Sequence, residues 1–214
     1  MDSVIEILDN FLKSSFGGLS GSGRENPAGD IVGSTKGSRP SGKEKLSGQL
    51  MRINHAGEVA AQGLYQGQLF LEKDANLRAY LQQAAEEEAD HLNWTGDYLR
   101  SKGVRGSLLN PVWYIGSFAL GVLMRSNGRL KSKLFLAETE RQVQEHLSKN
   151  IKLFPAEDES AAKIINKMFE DEGEHAEWAE DALTKETQTE QLTRLEKRLM
   201  RIFSSFMIIL SRRI

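Results

Sequence analysis

Two short patterns in this 214-residue chain set a carboxylate and an imidazole three residues apart: Glu88-Ala89-Asp90-His91 and Glu172-Gly173-Glu174-His175. Residues three apart on an α-helix share a face, so each pattern points one oxygen and one nitrogen donor the same way. A single glutamate precedes each pattern, Glu58 lying 30 positions before Glu88 and Glu140 lying 32 before Glu172. One glutamate from each of two helices, with Glu-x-x-His from each of two others, is the donor set of a bundle holding two metal ions. Hard carboxylates with two imidazoles suit iron or manganese. Four carboxylates also balance two Fe(II) ions, so such a site tolerates burial where unpaired charge would not. Glu88 and Glu172 are the expected bridges, with His91 grouped with Glu58 and His175 with Glu140. Such a centre activates dioxygen, for hydroxylation, desaturation, or ferroxidase and peroxidase chemistry.

Other polar residues gather near this set. His55 lies three before Glu58 and His146 six after Glu140, and both suit supporting or core roles better than ligation. Asp90 and Asp171 each precede a residue of the set and can either fix a histidine's tautomer or be plain surface charge. Tyr65 shares the face of Glu58, at a spacing that suits core packing. Glu86, Glu87, Glu170, Glu174 and Glu177 read as a solvated acidic face.

The elements that must position these residues follow from the spacing. If Glu58 and Glu88 face each other across a helical hairpin, the turn falls near Lys73, where Glu72-Lys73-Asp74-Ala75-Asn76 breaks the apolar pattern. The midpoint of Glu140 and Glu172 falls in Phe154-Pro155-Ala156-Glu157-Asp158, where Pro155 stops one helix and Asp158 can cap the next. Both hairpins then hold their donors roughly 22 Å from the turn. Long helices are expected over roughly 47–72, 77–102, 130–153 and 158–185, with no convincing strand. A short, almost wholly apolar helix follows Asn110-Pro111, with Asn110 as its cap. A basic amphipathic helix is expected from about Glu190 to Arg213. These last two can bury their apolar faces against the bundle or a partner subunit, or dip into a lipid leaflet.

Composition narrows the rest. The net charge of −2 leaves no nucleic-acid signature, and the absence of cysteine excludes disulfides, thiolate sites and iron–sulfur clusters. The amino terminus lacks the basic start and apolar run of a signal peptide, and no apolar stretch approaches about 18 residues. Residues 2–14 carry apolar side chains at helical spacing, and a Gly/Ser-rich segment over 15–42 reads as a flexible linker. Its Gly21-Ser22-Gly23 is not a dinucleotide fingerprint, because no strand precedes it.

Several stretches resemble the demethoxyubiquinone hydroxylases of ubiquinone biosynthesis: Asn54-His55-Ala56-Gly57-Glu58, Glu87-Glu88-Ala89-Asp90-His91-Leu92, and Leu109-Asn110-Pro111 before an apolar helix. Glu140 with His146, and Asp171-Glu172-Gly173-Glu174-His175, complete the likeness, which runs from about Leu46 to the end. It implies an all-α, ferritin-like di-iron bundle over residues 46–214, with 1–45 as amphipathic segment and linker. It further implies that Glu58, Glu88, His91, Glu140, Glu172 and His175 hold two irons per chain, with dioxygen as co-substrate and neither flavin nor haem. No side chain beyond these six is assigned to catalysis. The implied substrate is a polyprenyl quinol, 2-polyprenyl-3-methyl-6-methoxy-1,4-benzoquinol, hydroxylated at a ring carbon. Since its tail stays in the bilayer, the resemblance implies peripheral attachment to the cytoplasmic face of the cell membrane through the two apolar helices. A homo-oligomer or a lipid-binding accessory protein fits the same picture. An iron-handling or peroxide-reducing protein would use the same ligands, and a metal-free membrane-binding helical protein would use none of them.

Overall fold

The computed structural model describes residues 2–29, 42–184 and 194–213, and every regular element among them is helical. The helices are α1 (Asp2–Phe16), α2 (Gly42–Leu71), α3 (Ala75–Ser101), α4 (Asn110–Ser126), α5 (Arg129–Asn150), α6 (Glu159–Thr184) and α7 (Arg194–Arg213). The expected end of the fourth long helix at Lys185 and the start of the last helix at Glu190 lie outside the described residues.

Helices α2 with α3 and α5 with α6 form the two hairpins, and α3 packs on α6 to close the four-helix bundle. The first turn is made by Asp74, whose Oδ1 accepts hydrogen bonds from the amides of Asn76 (3.1 Å) and Leu77 (3.0 Å). These are amides that a helix's opening turn otherwise leaves without partners. Beneath it the buried Glu72 takes both oxygens to Arg125 at the end of α4, at 2.7 and 3.3 Å. The second turn is made as expected by Pro155 and Asp158, whose Oδ1 accepts from the amide of Ala161 at 3.3 Å.

The apolar core comes in two halves. One holds Leu50, Met51, Trp94, Tyr98, Leu147, Ile164 and Met168 toward the α5–α6 turn; the other holds Tyr65, Leu69, Leu81, Ala85 and Leu136 toward the α2–α3 turn. Glu58, Glu88, Glu140 and Glu172 fall between the two halves along their respective helices. Polar groups therefore sit where apolar packing above and below excludes water.

Helix α4 lies along the outside of α2. A Cβ on Gly63 or Gly67 would collide with the carbonyl oxygens of Tyr114 and Phe118, and one on Gly121 with that of Leu64. The two backbones can approach this closely only because all three residues lack side chains. The cap of α4 differs from expectation. The helix starts at Asn110 itself, whose buried amide bonds Ser107 O at 3.2 Å, and Leu109 takes the cap position without a side-chain hydrogen bond. Trp113, Tyr114, Ser117 and Gly121 of α4 are buried, whereas Val112, Ile115 and Leu123 face outward. The inward face thus packs against the bundle as expected, and the outward face leaves its apolar side chains exposed. Phe11 of α1 meets Tyr114 edge-on at 5.4 Å, and Phe206 of α7 meets Trp113 at 6.3 Å, so α1, α4 and α7 lie side by side. No helix among the described residues is long and apolar enough to cross a membrane.

The segment expected to be a featureless linker is partly built into the fold. Residues 17–29 pack against α3, with the Ser22 amide bonding Glu86 O at 3.3 Å and Asn93 Nδ2 donating to Leu19 O at 3.1 Å. Residues 30–41 lie outside the described residues.

Candidate metal centre

Each of the four bundle helices sends one glutamate inward, and α3 and α6 add a histidine one turn later. All six residues are buried, none more than 4% exposed. They form two clusters, Glu58–Glu88–His91–Glu172 and Glu88–Glu140–Glu172–His175, whose donor atoms lie within 4.8 Å of one another. The clusters share Glu88 and Glu172. His91 Nδ1 faces Glu88 at 3.3 Å and Glu58 and Glu172 at 3.7 Å; His175 Nδ1 faces Glu88 at 3.3 Å and Glu172 at 3.9 Å.

The opposite ring nitrogens are held from across the bundle. His91 Nε2 is 2.9 Å from Asp171 Oδ2, and His175 Nε2 is 2.9 Å from Glu87 Oε2. A carboxylate only accepts, so each histidine carries a proton on Nε2, which leaves Nδ1 as the ring atom turned to the centre. Tyr65 donates its hydroxyl to Glu140 Oε1 at 2.8 Å.

The electrostatics favour a cation. Burial first, then the neighbouring Glu88 charge, pushes Glu58, Glu140 and Glu172 up from the ordinary carboxylate range. Glu88 goes the other way, because the two histidines that face it, His175 and His91, outweigh its burial. Glu88 Oε1, Glu172 Oε2 and His175 Nδ1 are buried without a hydrogen-bond partner of good geometry. Buried polar atoms are almost always satisfied, and two divalent cations would satisfy these three while relieving the carboxylate repulsion. The residues present fit such a metal site.

A profile of the ubiquinone biosynthesis protein COQ7 family matches residues 45–211. The chain belongs to the COQ7 family. It is also 43% identical over 182 residues to the 3-demethoxyubiquinol 3-hydroxylase of Cupriavidus metallidurans, covering 85% of this chain and 87% of that one. It is 39% identical to that of Delftia acidovorans along the full length of both chains. With that of Bordetella pertussis it shares 50% over 133 residues, 62% of this chain and 60% of the other.

Around the centre of this COQ7-family chain several residues depart from expectation. Asp171 holds a histidine, but Asp90 does not: one residue before His91, it points away from the centre and binds Ser22, Gly23 and Arg24. Glu87, read as part of a solvated face, turns inward to His175. Tyr65 is core, and it also bonds a donor. His55 lies away from the centre, against Thr95 Oγ1 at 3.0 Å. Burial first, then Arg100, pushes its pKa down to about 4. His146 bonds Asn54 Oδ1 at 3.3 Å and lines a mostly apolar cavity of about 120 Å³ that reaches Glu58.

Proposed function

We propose that this chain is a 3-demethoxyubiquinol 3-hydroxylase, a monooxygenase of ubiquinone biosynthesis, in which Glu58, Glu88, His91, Glu140, Glu172 and His175 hold two iron ions. The observation that carries the reading is the pair of four-residue clusters sharing Glu88 and Glu172 inside a closed apolar bundle. Family membership and the names of the relatives support the same activity. Two ferrous ions held there would supply the electrons that activate dioxygen, one oxygen atom going to the quinol ring and the other leaving as water.

The chain's own residues do the rest. Asp171 and Glu87 orient the two histidines, and Tyr65 holds Glu140 by its hydroxyl proton. The cavity beside Glu58 is walled by Leu64, Leu120, Phe135, Val143 and Met207 and suits a substituted ring. Asn54, Gln142 and His146 are among its polar groups and can orient ring hydroxyls. His146 stays neutral there, because burial and then Lys149 lower its pKa. The polyprenyl tail leaves toward the outer faces of α4 and α7, where Val112, Ile115, Leu123, Ile202, Phe206 and Ile209 are all more than half exposed. Val4, Ile5, Leu8 and Leu12 of α1 extend this apolar surface. Such a face suits peripheral attachment to a bilayer, which brings the substrate to the cavity.

The test is turnover of a short-tailed demethoxyubiquinol by iron-loaded protein under ¹⁸O₂. The expected product is heavier by one labelled oxygen. Oxygen uptake driven by ferrous iron alone, with no ring product, would move the chain to the iron-handling class.

A further inference from the structure

Among the described residues, Arg24 is the one strong cation that the amino-terminal segment sets against the outer side of the centre. Its Nη1 lies 2.7 Å from Asp171 Oδ2, the same oxygen that accepts from His91 Nε2. Its Nε lies 3.0 Å from Asp90 Oδ2 on α3, and its Nη2 donates to Glu87 O at 3.2 Å. The guanidinium also sits 5.0 Å from the centre of the Trp94 ring, which in turn packs 5.3 Å from the His91 ring. Asp90 and Asp171 are only 4% and 3% exposed at their side chains, so the carboxylate ends of these pairs are shielded from water while the Arg24 side chain is 30% exposed. Local backbone bonds fasten the segment: Gly23 N reaches Asp90 Oδ1, and a Cβ on Gly21 would collide with Asp90.

These contacts constrain Asp171 from two sides. Lys167 Nζ holds Oδ1 at 2.6 Å, while Arg24 and His91 share Oδ2. Without Arg24 the carboxylate is free to swing toward Lys167, and His91 then loses the bond that orients its ring. A planar, forked guanidinium spans two carboxylates on different helices, which the point charge of a lysine does not. We propose that Arg24 is a positioning residue of the metal centre, clamping Asp171 of α6 and Asp90 of α3 so that His91 presents its Nδ1 to the centre. The inference rests on the metal-site reading above and adds a residue from outside the bundle to it.

Cobalt(II) titration followed by visible absorption tests it without recourse to turnover, on full-length protein stripped of metal. Wild type is expected to bind two ions, and Arg24→Ala to bind one of them roughly tenfold to hundredfold more weakly, with an altered absorption band. Arg24→Lys is expected to recover only part of that loss. Ser22→Ala, which removes one contact to Asp90 and leaves the Arg24–Asp171 pair, is expected to bind like wild type. Two ions bound by Arg24→Ala with wild-type affinity and spectrum would overturn the inference, as would an equal loss in Ser22→Ala. If Arg24→Ala does not fold, Arg24→Lys decides: wild-type affinity and spectrum in that variant reject the forked clamp. A wild type that binds no cobalt, or binds it no better than Glu88→Ala, would instead reject the metal site itself.

Discussion

Glu87 Oε2 lies 2.9 Å from His175 Nε2, although the two residues belong to different helices, α3 and α6. The relationship is returned in the opposite direction by Asp171 of α6 and His91 of α3, at the same distance. In both cases the acid immediately precedes the glutamate of its own Glu-x-x-His pattern. Each helix thus carries one histidine inward and braces the histidine of the other.

Glu87→Ala removes one brace. It is expected to weaken binding of the metal beside His175 by roughly tenfold to hundredfold and to spare the other, the usual effect of losing a hydrogen-bond partner behind a ligand. Competition titration with a metal chelator measures both constants. Unchanged affinity at both would show that His175 needs no orientation.

The metal-free protein is expected to lose stability as pH rises from about 6 to about 8. Glu58, Glu140 and Glu172 are held above the ordinary carboxylate range, so above that range unfolding releases protons and gains from each rise in pH. His91 and His175 act in the same direction: burial alone would lower them, but their carboxylate partners raise them, so stability they contribute at low pH is lost as pH rises. His55, pushed down to about 4 from 6.5, opposes this trend only below its ordinary value, where the unfolded chain takes up a proton the fold refuses. Urea unfolding of chelator-treated protein at both pH values measures the slope, and bound metal should flatten it.

Gly67→Ala is expected to destabilise by roughly 1–3 kcal/mol, because its new methyl meets the carbonyl of Phe118 and forces α4 off α2. Gly116→Ala, exposed on α4 with nothing near its would-be Cβ, should instead stabilise by up to about 1 kcal/mol through helix propensity. Urea midpoints of the two variants compared with wild type decide between close packing and propensity.

The outward face of α7 is testable apart from the centre. Ile202 and Ile209 are 54% and 57% exposed and lie off the cavity wall, so replacing both with serine should leave metal stoichiometry intact. Co-sedimentation with phospholipid vesicles should fall several-fold, in line with roughly 25 cal/mol lost per Å² of apolar surface. Equal recovery with the vesicles would count against attachment through this helix.

Much of this molecule was legible before any coordinate. Apolar periodicity, Asp74, Pro155 and Asp158 determined the order and ends of the bundle helices, and the i, i+3 rule determined which glutamates and histidines face inward together. These are local properties, set within a few turns of one helix. What faces a ring nitrogen from another helix depends on the rotation and offset between helices, which one chain's periodicity leaves open. For that reason Glu87 in the run Glu86-Glu87-Glu88 read as solvated charge, Asp90 and Asp171 read alike, and Arg24 read as part of a linker. Only the packing of α3 against α6, with the amino-terminal segment folded across them, decided which carboxylate orients each histidine and which cation holds it there.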